Sequence, residues 1–350
     1  MSANTNPLFG RNWELTVKGP INTASNTQDV IVLSSSTFTQ ALRVTFDIRT
    51  VWFQWYWTAD IQIWNPNEQV ANFLLSQGNT SSNTAQPTTP AAGGAPIQQG
   101  MEVILKAGYA NPGIIWDGFV LQPMFDRINQ TDFVITLHCI VGLDENSRNT
   151  LGMVFKAQTD QLEIVKQMAA SCYHPLSAGF VAPGLAGKTF SRAKVVFGKP
   201  GKYFTEMARS NNMQWWLSQK GLFNVGDLSK NFPSTARYTF TPTTGIVGTP
   251  QQTQFGVNCR LLLNPNVVVT NPPMAIKIDN TVIQQLQKNV GDLPSATSIL
   301  SQSGTYVVVG ARYTGDTRGN DWYTDVTGWL TAFDKVAAIA TATGVQFDRP

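Results

Sequence analysis

The chain reads as a mainly β protein in which two strand-rich stretches flank a smaller α/β segment. Three observations predict this. Alternating runs rich in Val, Ile, Thr and aromatic residues fill residues 11–65 and 101–143 and return after residue 235, the pattern of half-buried strands. Clear helical spacing of apolar residues appears between them, at residues 160–172 and 200–212. Charge is scarce: Asp, Glu, Lys and Arg make up 13% of the 350 residues, beside ten Trp and nineteen Phe, where soluble domains carry about a quarter. Protein interfaces are depleted in charge and enriched in aromatic residues, so the composition points to assembly.

The runs WELTV, DVIVL, ALRVTFDI, VWFQWYW and DIQIW, with turn formers between them, predict a meander of strands. Residues 76–98 hold many Ser, Thr, Gly and Pro and no apolar period, which predicts a flexible loop. MEVILKAGY, GIIWDGFVLQPMF and DFVITLHCIVG resume the strands, so a first β domain is expected over residues 1–146. A small α/β domain is expected over 147–232. Its first helix places Leu162, Val165, Met168, Ala169 and Cys172 on one stripe, with Asp160 as N-cap and Glu163 completing a capping box. Pro200 opens the second, with Tyr203, Phe204, Met207 and Ala208 on its stripe and Asn211 and Asn212 at its end. AKVVF is a strand between the helices, and MQWWLS, QKG and LFNVGD form a hairpin. RYTFTP, VNCRLLL, MAIKID and TYVVVGARYT predict a second β domain over 233–328, with a short helix at IQQLQKN. Residues 329–350 are a C-terminal extension containing a helix and a tail.

Several function classes find little support. The net charge is +3 and no Lys/Arg run reaches five residues, so there is no electrostatic footprint for nucleic acid. Three widely spaced cysteines, Cys139, Cys172 and Cys259, argue for buried thiols and synthesis in a reducing compartment. Neither an export signal nor a membrane span is expected, and the Asn-x-Ser/Thr sites at Asn79 and Asn129 then carry no meaning.

GLAGKT at 184–189 imitates a phosphate-binding loop, but Ala182 stands where its first glycine belongs and a strand follows. A plain turn is expected. His138 beside Cys139, and His174 two residues after Cys172, raise zinc, yet adjacent strand residues face opposite ways. Glu14, Glu102, Asp117 and Asp132 lie in predicted strands; nothing marks a matched pair for glycoside hydrolysis, and outward solvated positions are expected. Asp316, Asn320, Asp321 and Asp325 lack EF-hand spacing and read as a polar hairpin loop. No catalytic, cofactor or metal residue is assigned. The densest aromatic cluster is Trp52, Phe53, Trp55, Tyr56, Trp57 and Trp64. Alternation makes both faces of this run apolar, which a doubly covered strand, a subunit contact or a sugar-stacking platform would each explain. Trp52, Trp55, Trp57 and Trp64 are the candidate interface residues.

The blocks GIVGTPQQTQFGVNCRLLLNPNVVV (245–269), IKIDN and YVVVGARYTGDTRGNDWYTDV (306–326) resemble the tail or baseplate hub proteins of tailed bacteriophages. LFGRNWELTV, GMEVILKAGY and the hairpin after ARSNNMQWWLSQKG agree. The resemblance spans most of the chain and implies two tail-tube-like β-barrel domains per subunit in a homotrimer. The ring would be pseudo-sixfold, adapting a sixfold tail tube to a threefold central spike. Implied partners are the spike protein, the tube protein or a tube initiator, other baseplate proteins, a tape-measure protein in the lumen, and DNA only in passing. The implied location is the tail tip or baseplate of the virion, after assembly in the host bacterial cytoplasm, with no enzymatic role and no cofactor. Residues 51–57 and 76–98 lie outside the resemblance. The rival readings are a β-sandwich carbohydrate-binding module using Trp52, Trp55 or Trp57, and a cell-wall glycosidase.

Overall fold

The computed structural model describes residues 10–22, 27–35, 42–52, 57–83, 101–109, 111–141, 150–172, 176, 178–181, 183–226, 235–253, 256–269, 274–284 and 304–330. The first stretch contains β1 (Arg11–Asn22), β2 (Thr27–Ser34), β3 (Val44–Val51), β4 (Trp57–Trp64), α1 (Glu68–Asn83), β5 (Glu102–Tyr109), β6 (Gly113–Arg127) and β7 (Phe133–Val141). The middle holds β8 (Leu151–Phe155), α2 (Gln161–Ala170), β9 (Ala178–Val181), β10 (Lys194–Gly198), α3 (Pro200–Ser210), β11 (Gln214–Ser218) and β12 (Leu222–Gly226). The last holds β13 (Tyr238–Phe240), β14 (Ile246–Thr253), β15 (Gly256–Leu262), β16 (Ala275–Ile278), β17 (Thr305–Asp316) and β18 (Trp322–Leu330). The protein is mainly β, as its alternation predicts.

The first and last stretches share one 13-stranded sheet in the order β14-β15-β18-β17-β3-β4-β7-β6-β5-β1-β2, with β16 beside β17 and β13 beside β16. The join is the antiparallel pairing of β17 with β3, from Gly310 opposite Val51 to Asp316 opposite Thr45. Among the described residues the sheet does not close on itself; β2 and β14 are the ends of its main path, and β13 ends the branch through β16. The inward residues of both sets, including Leu15, Phe46, Ile48, Ile61, Leu105, Leu137, Leu261, Tyr313 and Trp322, belong to one buried cluster. Cys139, Cys172 and Cys259 are buried and free, as expected, and burial pushes the Cys259 thiol up to about 12. No helix among the described residues is long and apolar enough to cross a membrane.

Several local expectations meet the described residues only in part. Of VWFQWYW, Val51 is the last residue of β3 and Trp57 the first of β4. Trp52 turns its side chain inward, and its backbone N–H donates to the Val309 carbonyl at 2.7 Å. Residues 53–56, which include Trp55, lie outside the described residues. Part of the predicted loop is helical, since α1 runs to Asn83; residues 84–98 lie outside the described residues. The Asn67 side chain accepts from Val70 N at 2.8 Å and so caps the start of α1, while Val70 and Leu74 are buried. Once a helix is anchored, each added residue gains a hydrogen bond at little cost, so a polar sequence can extend it. At IQQLQKN, Gln284 forms a bridge with Gln251, and the residues after it lie outside the described set. Trp329 and Leu330 still belong to β18; the rest of the extension falls outside.

In the middle segment, Asp160 caps α2 by accepting from Leu162 N at 2.9 Å. Its second oxygen accepts from Gly187 N at 2.9 Å, tying the GLAGKT turn to the helix. Glu163 does not complete a capping box and accepts from the Gln167 side chain at 2.7 Å. Ile164 is buried on the inner face, and Leu162 packs half-buried at its rim. In α3, Phe204, Met207 and Ala208 are buried as predicted, with Pro200 in the first turn. Phe204 packs at a tilt against Phe223 and Trp215, with ring centroids 4.4 and 5.3 Å away, so the helix and the β11–β12 hairpin share one aromatic core. The hairpin docks on the first stretch through Trp216, which meets Trp52 edge to face at 5.7 Å, and through Gln219 Nε2, which donates to the Ile115 carbonyl at 3.1 Å.

Candidate functional site

Strand alternation sends Val44, Phe46 and Ile48 into the core and leaves Thr45, Asp47 and Arg49 on the opposite face. Across the β3–β17 seam that face carries a ladder of charges. Asp325 stands opposite Arg260 and opposite Arg312, Arg312 opposite Arg49, Asp47 opposite Asp60 and Asp60 opposite His138. Like charges directly opposite repel. The side chains relieve this by turning to other partners, diagonally, along the strand or directly across. Arg312 donates from Nε and Nη2 to the two oxygens of Asp47, both at 2.8 Å, and Arg49 reaches the same carboxylate at 3.1 Å. Asp60 turns to His138 Nδ1 at 2.6 Å. Arg260 holds Asp325 with a similar fork, at 2.7 and 3.1 Å, and Arg43 holds Asp316, with its shortest contact at 2.7 Å.

Two of these pairs set the ionisation of Asp47 and Asp316. Burial works to raise the Asp47 carboxyl, but the hydrogen bonds and charges of Arg312 and Arg49 overcome it and hold it below the ordinary aspartate value. Asp316 is likewise lowered, against burial, by Arg43 and by the backbone N–H groups of Arg318 and Gly319. A carboxyl whose folded value is depressed contributes stability that is present above its unfolded value, about pH 4, and lost as pH falls through the folded one. The melting temperature is therefore expected to fall below about pH 4, and Asp47→Asn should start lower at neutral pH and show a flatter acid slope. Thermal melts between neutral and acid pH check this; equal slopes would contradict it.

The β17–β18 loop is locked to the N-terminal strands. Arg11 of β1 donates to the carbonyl oxygens of Asp316, Gly319 and Asn320 at 3.2, 2.6 and 3.0 Å. Thr317 exchanges bonds with Val44, at 2.9 Å to Oγ1 and 3.0 Å from its own N–H. It is the polar loop expected from GDTRGND. Asp316 is engaged by Arg43 and by the Arg318 N–H, and among the described residues no group of three or more His, Cys, Asp or Glu side chains could hold a metal.

The predicted interface tryptophans separate. Trp52 and Trp57 are 1% and 2% exposed: both are packed inside their own chain, Trp57 with Nε1 on the Val51 carbonyl at 3.0 Å. Neither can stack on a sugar or meet a partner from there. Trp64 is half-buried, with the Arg43 guanidinium 4.6 Å above its ring. Trp55 lies outside the described residues. Of the carboxylates, Glu14 pairs with Lys106 at 2.7 Å and Glu102 with Lys18 at 3.1 Å. Asp132 precedes β7 in a turn and accepts from Asn65 and Asn129 at 2.8 Å. Asp117 is buried and not outward; it sits on the part of β6 where the Gln219 turn docks. His138 and Cys139 do face opposite ways, one half-exposed and the other buried; His174 lies outside the described residues.

Exposed apolar residues lie elsewhere. Val30 and Val32 are 49% and 44% exposed on β2. Leu121, Met124, Phe125 and Ile128 are exposed along the far half of β6 and the turn after it, and Val154, Val195 and Phe197 on the β8–β10 ribbon. One signal for the last was legible: Val195, Val196 and Phe197 are apolar on both faces of a short strand, so one face lacks a core to bury it. The two sheet ends also differ. β14 is blunted by Pro250 and by a bulge between Val247 and Gln251, and Gln284 bonds its outer side at Gln252 N and the Pro250 carbonyl, 2.9 and 2.8 Å. β2 contains no proline, and among the described residues β1 is its sheet neighbour on one side alone. An edge of that kind is a template for another strand.

Comparison with known proteins gives a consistent picture. Residues 24–277 match the family model described as Baseplate hub gp41. Among solved structures, the fold is similar to that of a tail protein from Neisseria meningitidis MC58, with 10% identity, a TM-score of 0.50, and 91% of this chain and 98% of that chain covered. It is also similar to the 43 kDa tail protein of prophage MuSo2 from Shewanella oneidensis, with 8% identity, a TM-score of 0.52, and 91% and 99% covered. No curated protein sequence matches the chain. At such identities the structural likeness is one of fold.

Proposed function

Since the chain belongs to the Baseplate hub gp41 family, and is thereby a structural component of a bacteriophage tail, we propose that three copies form a ring that adapts the sixfold tail tube to the threefold central spike. In this reading the strand sets of residues 1–146 and 233–328 are the two tube-like units of each subunit, and residues 147–232 are the small α/β domain between them. The observation that carries it is the joined sheet: two strand sets stand side by side through the β3–β17 ladder. Three such chains would offer six related units to a tube on one side and three equivalent chains to a spike on the other. The unlike sheet ends support a head-to-tail contact, because an interface between two different patches closes into a ring when its rotation allows. The remaining partners are the tube protein or a tube initiator, a tape-measure protein, other baseplate proteins and passing DNA. The role is structural and the site of action is the tail tip.

Native mass measurement of the full chain tests this. The expected result is a species of three times the 38.4 kDa chain mass, reduced to one copy by Val32→Lys on the open β2 edge. A chain that stays monomeric at about micromolar concentration and is absent from the tail in micrographs of virions would sink the proposal.

A further inference from the structure

Around the β3–β17 seam four arginines, Arg43, Arg49, Arg260 and Arg312, share one sheet face with four aspartates, Asp47, Asp60, Asp316 and Asp325. Arginines gathered on one face are what a phosphodiester backbone binds, through charge and through paired N–H donors. They are not hidden: the side chains of Arg260 and Arg312 are 51% and 48% exposed. Their donors are nevertheless occupied. Arg260 and Arg312 each commit Nε and Nη2 to a single carboxylate, the fork that a phosphate would otherwise take. Arg43 is held by Asp316, and Arg49 shares Asp47.

The lowered Asp47 and Asp316 carboxyls contribute some stability, but stability is only part of the account of this arrangement. Exposed ion pairs contribute little, and a pattern selected for pairing strength would not set Arg312 opposite Arg49 or Asp47 opposite Asp60. What the pattern achieves is a polar face without net charge. We infer that the aspartates of the ladder are a shield that prevents a polyanion, specifically double-stranded nucleic acid, from being held on the seam while it moves past. The biological sense of the shield rests on the hub reading, in which DNA passes the ring; the surface property itself belongs to the single chain.

The test is fluorescence anisotropy of a labelled DNA duplex with the full chain. The native chain is expected to show no saturable binding even at low salt. Asp47→Asn with Asp325→Asn opens the forks of Arg312 and Arg260 and should produce saturable binding at least about tenfold tighter than background. With two phosphates neutralised, that binding should weaken about tenfold between about 50 and 200 mM salt. Adding Arg312→Gln and Arg260→Gln should return it to background. Asp325→Asn alone frees one fork and should show a salt dependence of about threefold over the same range, which keeps the test open if the double variant does not fold. The inference is overturned if the native chain binds duplex and Arg312→Gln with Arg260→Gln weakens it, or if variants folded by circular dichroism gain no binding. Native mass taken on the same samples separates the two readings: a monomer that shows the gain overturns the ring alone, and a trimer without the gain overturns the shield alone.

Discussion

Gly256→Ala is expected to cost more than about 3 kcal/mol, a large share of the 5–15 kcal/mol that holds a typical domain folded. Gly256 opens β15 opposite Trp329 of β18. A methyl group there would overlap the Gly328 carbonyl oxygen and stand 2.9 Å from Trp329 Cα. Those are backbone atoms of the paired strand, so no rotamer change relieves the clash, and the strands must part where their ladder holds them about 4.8 Å from each other. Gly310→Ala is the control. It lies in the same sheet, but its nearest neighbour to an added methyl is a side-chain carbon at 3.6 Å, so the change should stay within about 1 kcal/mol. Urea unfolding of both variants checks the contrast; equal midpoints would mean that β15 and β18 are not paired as described.

Trp52→Ala should cost about 3–5 kcal/mol, the range for truncating a buried aromatic, with part of it arising from the lost ring contact. Trp52 and Trp216 are each 1% exposed and meet at an interplanar angle of 83°, which links the middle segment to the turn after β3. The same substitution distinguishes a core residue from an interface one. A core role lowers the melting temperature of the chain at any concentration, whereas an interface role changes the mass of the assembly and spares the melt. Trp64→Ala, which removes a half-buried ring beneath Arg43, should cost only about 1 kcal/mol. A double-mutant cycle with Trp216→Ala gives the coupling directly; additive losses would contradict the contact.

Much of this architecture was legible from periodicity and end signals. The inward sides of β1 and β3 follow from WELTV and VTFDI, and α3 from Pro200, its apolar stripe and Asn211. These signals are local, and local signals survive in sequence. In the run VWFQWYW aromatic density does report burial, since Trp52 and Trp57 are both buried, but density alone does not mark where β3 ends and β4 begins. Residues 76–83 mislead because composition reports weak intrinsic propensity, whereas Asn67 and Leu74 anchor the helix from its start. The charge ladder was the least legible part. Asp47 and Arg312 meet only because two strands more than 250 residues apart share a register, and no single window of sequence records that register. The family blocks pointed to assembly, while the open β2 edge and the exposed ribbon of Val154, Val195 and Phe197 emerge only when burial is known residue by residue.

The pairing of β3 with β17 also sets a schedule on the ribosome. β3 leaves the tunnel early, but the strand that covers its far side arrives about 265 residues later, which at bacterial elongation speeds is roughly 15–50 s. Through that interval the nascent chain carries a sheet edge whose neighbours Phe46 and Ile48 belong to the finished core. Every chain released before residue 316 keeps that edge open, so incomplete copies are the aggregation-prone ones, and a cell assembling many tails benefits from finishing each chain before its neighbours meet it.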